Sequence, residues 1–190
     1  MDDHRELETY YKNCLNAPDH DTKVRWQNQF VWELARHSIG EELVIYPALE
    51  FHLPTPRGQE MADKDRASHH TIKEMLSDFQ KMNPRDTRFD VTLQSLMAEL
   101  KQHIEDEEAH DLPELEKALK DSSTTSSDLA KSFERTKMLV PTRSHPAAPD
   151  RPPWETVVGL MAAPIDRVRD VFVRFPREGT PGERISPGAK

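Results

Sequence analysis

Cysteine is nearly missing: 190 residues hold one, Cys14. A lone thiol excludes an internal disulfide framework and any zinc finger or iron–sulfur cluster ligated by the cysteines of one chain, so a bound metal must rely on imidazole and carboxylate. Long apolar runs are missing as well. Nothing approaches the ~18 residues that cross a bilayer, and Met1-Asp2-Asp3-His4-Arg5-Glu6 lacks the apolar stretch of a secretory signal. A soluble, cytoplasmic protein is expected. Positive charge is short in the front of the chain, where residues 1–121 carry 15 Lys and Arg against 26 Asp and Glu; residues 122–190 carry 11 against 8. Nucleic-acid binding needs clustered cations facing phosphates, and the acidic front excludes it. Strand-like alternation is also hard to find. What remains, 35% hydrophobic and 32% charged residues, suffices for one modest helical core with an appendage.

Three breaks divide residues 1–121: Asn16-Ala17-Pro18-Asp19, His52-Leu53-Pro54-Thr55-Pro56-Arg57-Gly58 and Asn83-Pro84-Arg85-Asp86. Each joins a residue that cannot continue a helix to turn formers. The four segments between them have helical periodicity, with Met61, Ala62, His69, Ile72, Leu76 and Phe79 on one face of the third and Leu93, Leu96, Leu100, His103 and Glu107 on one face of the fourth. Short connections favour antiparallel neighbours, so the expected fold is all-α, an up-down-up-down four-helix bundle. Residues 122–190 form an extension. It comprises a Ser/Thr linker, a short helix over about 128–140, a proline-rich strap through Pro153 and an amphipathic helix with Trp154, Val157, Met161, Ile165, Val168 and Phe172 on one stripe, interrupted by Pro164. Strap and helix are expected to fold back on the bundle. A partner-binding or membrane-surface helix flanked by Arg167, Arg169 and Arg174 is the other reading. The final dozen residues are expected to fray.

The second and fourth helices share a repeat at an offset of 66 residues. His37-Ser38-Ile39-Gly40-Glu41-Glu42, continuing to Pro47-Ala48-Leu49-Glu50, matches His103-Ile104-Glu105-Asp106-Glu107-Glu108, continuing to Pro113-Glu114-Leu115-Glu116. Both read H-x3-E-E-x4-P-x-L-E. An acid four residues after a histidine is weak by itself, since His4, His37, His70, His103 and His110 all have one. Six identities in register are not. Residues i and i+4 share a helical face, so His37/Glu41 and His103/Glu107 each present an imidazole and a carboxylate from one spot on the core stripe. Buried groups of this kind need partners, which hydrogen bonding within the core or a bound metal would supply. His4, with Leu7 and Tyr11 on its face, and His69, with Ile72, Leu76 and Phe79, complete four inward histidines. Strict use of the 66-residue offset would pick His70 instead, but the apolar pattern sets His69 inward and leaves His70 the alternative ligand. Four nitrogens and two carboxylates suit two metal ions bridged by carboxylate, iron or manganese before zinc.

In these residues the chain resembles the hemerythrin-like His-His-Glu cation-binding domains, over residues 2–120. The resemblance implies a non-heme diiron centre: His4 and His37 on one iron, His69 and His103 on the other, Glu41 and Glu107 bridging, with O2 or another small ligand bound among the helices. Two departures stand out. Oxygen-carrying members have a second histidine one turn beyond the third-helix ligand; here that residue is Lys73, which either leaves a metal position open or snorkels to the surface. His4 lies next to the start, where helices fray, so its hold is expected to be weak unless the natural chain extends upstream. Glu42 and Glu108 are expected to be solvated neighbours, His110 a surface residue, and Tyr10, Tyr11 and Tyr46 packing residues. His145, on the strap, receives no role. The expected function is binding of O2 or a related ligand, or iron sensing or storage; an O2-activating oxidase of a small organic substrate is the alternative. A third is an interaction module that docks a protein partner through the last helix.

Overall fold

Prolines and capping residues set the helix ends. Asp19 opens the second helix by accepting the Thr22 N–H at 2.9 Å, and Thr125 with Asp128 forms a capping box ahead of the seventh. The computed structural model describes residues 2–120, 122–146, 154–177 and 179–182, with the backbone alone for 154–161. The chain runs α1 (Asp2–Leu15), α2 (His20–Gly40), a π turn (Glu41–Ile45), α3 (Tyr46–His52), α4 (Arg57–Phe79), α5 (Phe89–Asp106), a second π turn (Glu107–Asp111), α6 (Leu112–Leu119), α7 (Ser126–Lys137) and α8 (Trp154–Phe172). No strand occurs among the described residues. The all-α expectation holds: α1, α2 with α3, α4, and α5 with α6 are the bundle helices.

The repeat explains the π turns. Tyr46 N–H bonds the Glu41 carbonyl and Leu112 N–H the Glu107 carbonyl, each spanning five residues rather than four. Pro47 and Pro113 come next. A helical proline has no N–H to give and crowds the carbonyl four residues back, here Leu43 and Ala109, both inside the widened turns. The same proline in each half thus opens the helix at the repeat's glutamate.

Two apolar clusters fill the bundle. Leu7, Phe30, Leu34, Ile72, Leu76, Phe79, Leu93, Leu96 and Leu100 build the larger; Tyr46, Leu49, Leu53, Ala62, Leu115 and Leu119 build the smaller. Along α4, His69 falls between Ala62 of one cluster and Ile72 of the other, so the polar residues form a band between two dry regions. Gly58 allows α3 to approach α4, because a Cβ there would lie 2.3 Å from the Leu49 carbonyl oxygen.

The extension lies against the bundle. α7 packs on α2 and the first π turn, and Ser144, beyond it, exchanges bonds with Gln80 (3.1 and 3.2 Å) and donates to the Lys73 carbonyl at 2.5 Å. Arg143 pairs with Asp170 at 2.9 Å and His145 with Asp166 at 2.9 Å. These two acids, one turn apart, fix the rotation of α8. Its predicted apolar stripe therefore does not turn inward where it is described: Ile165, Val168 and Phe172 are exposed, whereas Ala163 and Asp166 are buried. The Trp154, Val157 and Met161 side chains, residues 147–153 of the strap and residues 183–190 lie outside the described residues. Past α8, Phe175 meets Trp32 and accepts from Arg25 at 2.9 Å, and Pro181 accepts from the Trp26 indole at 2.8 Å.

Candidate metal centre

Each bundle helix brings one buried histidine to the polar band: His4 from α1, His37 from α2, His69 from α4 and His103 from α5. The π turns bring Glu41 and Glu107. His70 is exposed beside Glu74, as its place outside the apolar pattern required. The carboxylates lie between the rings. Glu41 Oε1 is 3.1 Å from His37 Nε2 and 3.7 Å from His4 Nε2, while its Oε2 is 3.3 Å from His69 Nε2. Glu107 spans the same gap from the other side, with Oε2 3.7 Å from His4 Nε2 and Oε1 3.6 Å from His103 Nε2. His69 and His103 face one another through Nε2 atoms 2.9 Å apart.

The ionisable groups of this band shift one another. Burial and the nearby Glu41 carboxylate push Glu107 well above the usual carboxylate range. Burial opposes charge on Glu41 too, yet the His37, His4 and His69 rings hold it well below that range. Burial likewise opposes charge on His69, but Glu41 and Glu42 raise it to about 9, and burial together with His69 lowers His103 to about 3. Glu107 and His69 thus favour the protonated form, Glu41 and His103 the deprotonated one. Several atoms of the band are left unpaired. His37 Nε2, Glu41 Oε2 and both Glu107 oxygens are buried without a hydrogen-bond partner, an arrangement that each costs about 1–3 kcal/mol unless a ligand or ion satisfies it. The ligand atoms of His4, His37 and Glu41 lie within 4.8 Å of one another, as do those of Glu41, His69 and His103. Glu41 belongs to both triads.

A match to the Hemerythrin HHE cation binding domain covers residues 1–115. The chain belongs to the hemerythrin HHE family. An uncharacterized hemerythrin-like protein of Schizosaccharomyces pombe is 55% identical over 174 residues, covering 92% of this chain and 84% of the relative. That length carries the likeness past the bundle into the extension. No solved structure matches the chain. Membership in this family makes the protein a cation-binding one, and among the described residues no helix is long and apolar enough to cross a membrane.

Several hemerythrin-site neighbours escaped the sequence reading. Glu42 is not solvated: it is buried, 3.3 Å from His69 Nδ1 and 2.8 Å from Lys73 Nζ. Lys73 does not snorkel, because that ion pair keeps its ammonium inside. Tyr46 does more than pack, its hydroxyl standing 2.9 Å from His69 Nε2. Glu108 accepts from His4 Nδ1 at 2.8 Å, which braces the histidine expected to be loosely held. Asp65 and Asp111 add buried, unpartnered oxygens. His110 is exposed, donating to the Asp106 carbonyl. The i+4 spacing cannot show Tyr46, because the π turn closes its N–H on the Glu41 carbonyl five residues back.

Proposed function

We propose that this protein binds two iron ions, His4 with His37 on one, His69 with His103 on the other, and Glu41 and Glu107 bridging, and that the pair binds O2 or a related small ligand. The observation that carries the reading is the split of each glutamate: one oxygen turned to the α1/α2 histidines, the other to the α4/α5 histidines. Two imidazoles and two carboxylate oxygens give each ion four protein ligands, which suits iron or manganese with positions left for a small molecule. Paired ferrous ions supply electrons to O2, chemistry that no side chain here offers alone.

The chain's own residues prepare the place. The two apolar clusters keep bulk water from the band, and Glu42 holds the Lys73 ammonium at 2.8 Å, so the position where oxygen carriers have a histidine offers no neutral nitrogen. Tyr46 OH, 2.9 Å from His69 Nε2, places a hydroxyl beside the α4/α5 half. A cavity of about 510 Å³ among Ser77, Gln80, Ser144 and His145 lies apart from the six residues.

The test is anaerobic loading with Fe(II) followed by O2, with His37→Ala/His103→Ala as the control. About two irons per chain and a visible absorption change that reverses when O2 is removed are expected. Irreversible O2 consumption would replace the binding reading with an oxidase. Iron uptake no greater than the control's would overturn both.

A further inference from the structure

The extension reaches the metal centre. Lys137, the last residue of α7, is buried, and its ammonium bonds the Asp3 carboxylate and lies 2.9 Å from Glu33 Oε1. The same Asp3 oxygen is 3.4 Å from His37 Nδ1. Asp3 would otherwise share a crowded anionic corner, since carboxylate oxygens of Asp3, Glu6 and Glu33 lie within 4.8 Å of one another. Such a trio would suit a cation, and the Lys137 ammonium takes that role. One turn before Lys137, Phe133 meets the His37 ring edge-on with centroids 5.9 Å apart. It also fills the space over Gly40, where a Cβ would lie 2.7 Å from the Phe133 ring.

A histidine that ligates a metal through one nitrogen is oriented, and its tautomer fixed, by what the other nitrogen donates to. The Asp3 oxygen that Lys137 holds lies at His37 Nδ1, and Nε2 is turned to Glu41 Oε1, 3.1 Å away. The α4/α5 half is built otherwise, His69 meeting Glu42 and Tyr46, and no contact joins it to Lys137 or Phe133 among those described.

We propose that α7 is a working part of the metal centre: Lys137, acting through Asp3, positions His37, so that the extension sets the affinity of the His4/His37 metal position and leaves the His69/His103 position unchanged. Lys137 and Asp3 are positioning residues that touch no ion. The inference rests on the two-ion reading above.

Anaerobic Fe(II) titration of the full chain tests it, with Lys137→Met and Asp3→Asn beside the wild type and thermal melts of the metal-free proteins as the check on folding. Asp3→Asn retains the Lys137–Glu33 pair, and with it the docking of α7. Both variants are expected to bind one ion at wild-type affinity and the second about 10–100-fold more weakly. Loss of fold would weaken both positions together. In an Asp3→Asn variant whose melt matches the wild type's, wild-type affinity at both positions, or equal weakening at both, overturns the role of α7. A wild type that binds no metal overturns the two-ion reading and this inference with it.

Discussion

At the scale of single residues, the fold changes the pH at which Asp65 gives up its proton. Burial and the Asp111 carboxylate raise its carboxyl to about 7 from an ordinary 3.8. Between those values the folded, metal-free chain keeps a proton that the unfolded chain has released, so this group's contribution falls as pH rises through that range and levels off above about 7. Asp65→Asn should flatten that part of the metal-free stability curve, read from urea midpoints between pH 4 and 8; an unchanged slope would show that Asp65 does not titrate there. Legibility at this scale follows the helical period. His69 was separable from His70 because Ile72, Leu76 and Phe79 mark the inward face. Tyr46 and Glu42 were not, because helical counting fails where the turn closes on five residues, and Asp3 was not, because its partner Lys137 lies 134 positions away.

At the scale of elements, the proline in each half of the repeat and the π turn before it act as one device. Pro47→Ala would return an N–H to α3 and remove the ring that crowds Leu43, allowing the turn to close on four residues and rotating Glu41 relative to its histidines. The expected result is weaker iron binding with a metal-free melting temperature equal to or above that of the wild type; unchanged affinity would show that the proline does not set the glutamate. Packing between elements makes a separate demand at Gly58. Its neighbour is backbone that cannot swing aside, so Gly58→Ala should destabilise the fold by about 1–3 kcal/mol, measured by urea denaturation. The segment breaks made the bundle readable, since each combines proline with turn formers. The rotation of α8 was not readable from hydrophobic pattern, because the Arg143–Asp170 and His145–Asp166 pairs decide it.

At the scale of the whole molecule, the protein is two apolar clusters separated by a band of ionisable groups, a costly arrangement unless something neutralises and ties the band together. Metal should therefore be a major stabiliser. A ligand at one hundred times its dissociation constant adds about 2.7 kcal/mol, so the melting temperature should climb with Fe(II) in the wild type and stay flat in His37→Ala/His103→Ala. The repeat announced this band in the sequence, since paired H-x3-E motifs on core stripes are hard to satisfy by packing alone. The covering by α7 was hidden, because a short helix beyond a Ser/Thr linker carries no mark of where it docks. The most direct test of the central claim is a crystal structure of the iron-loaded chain with anomalous data at the iron edge. Two peaks about 3.5–4 Å apart, each beside two of the four histidines with Glu41 and Glu107 between them, are predicted; a single peak, or iron outside these six residues, would contradict the account.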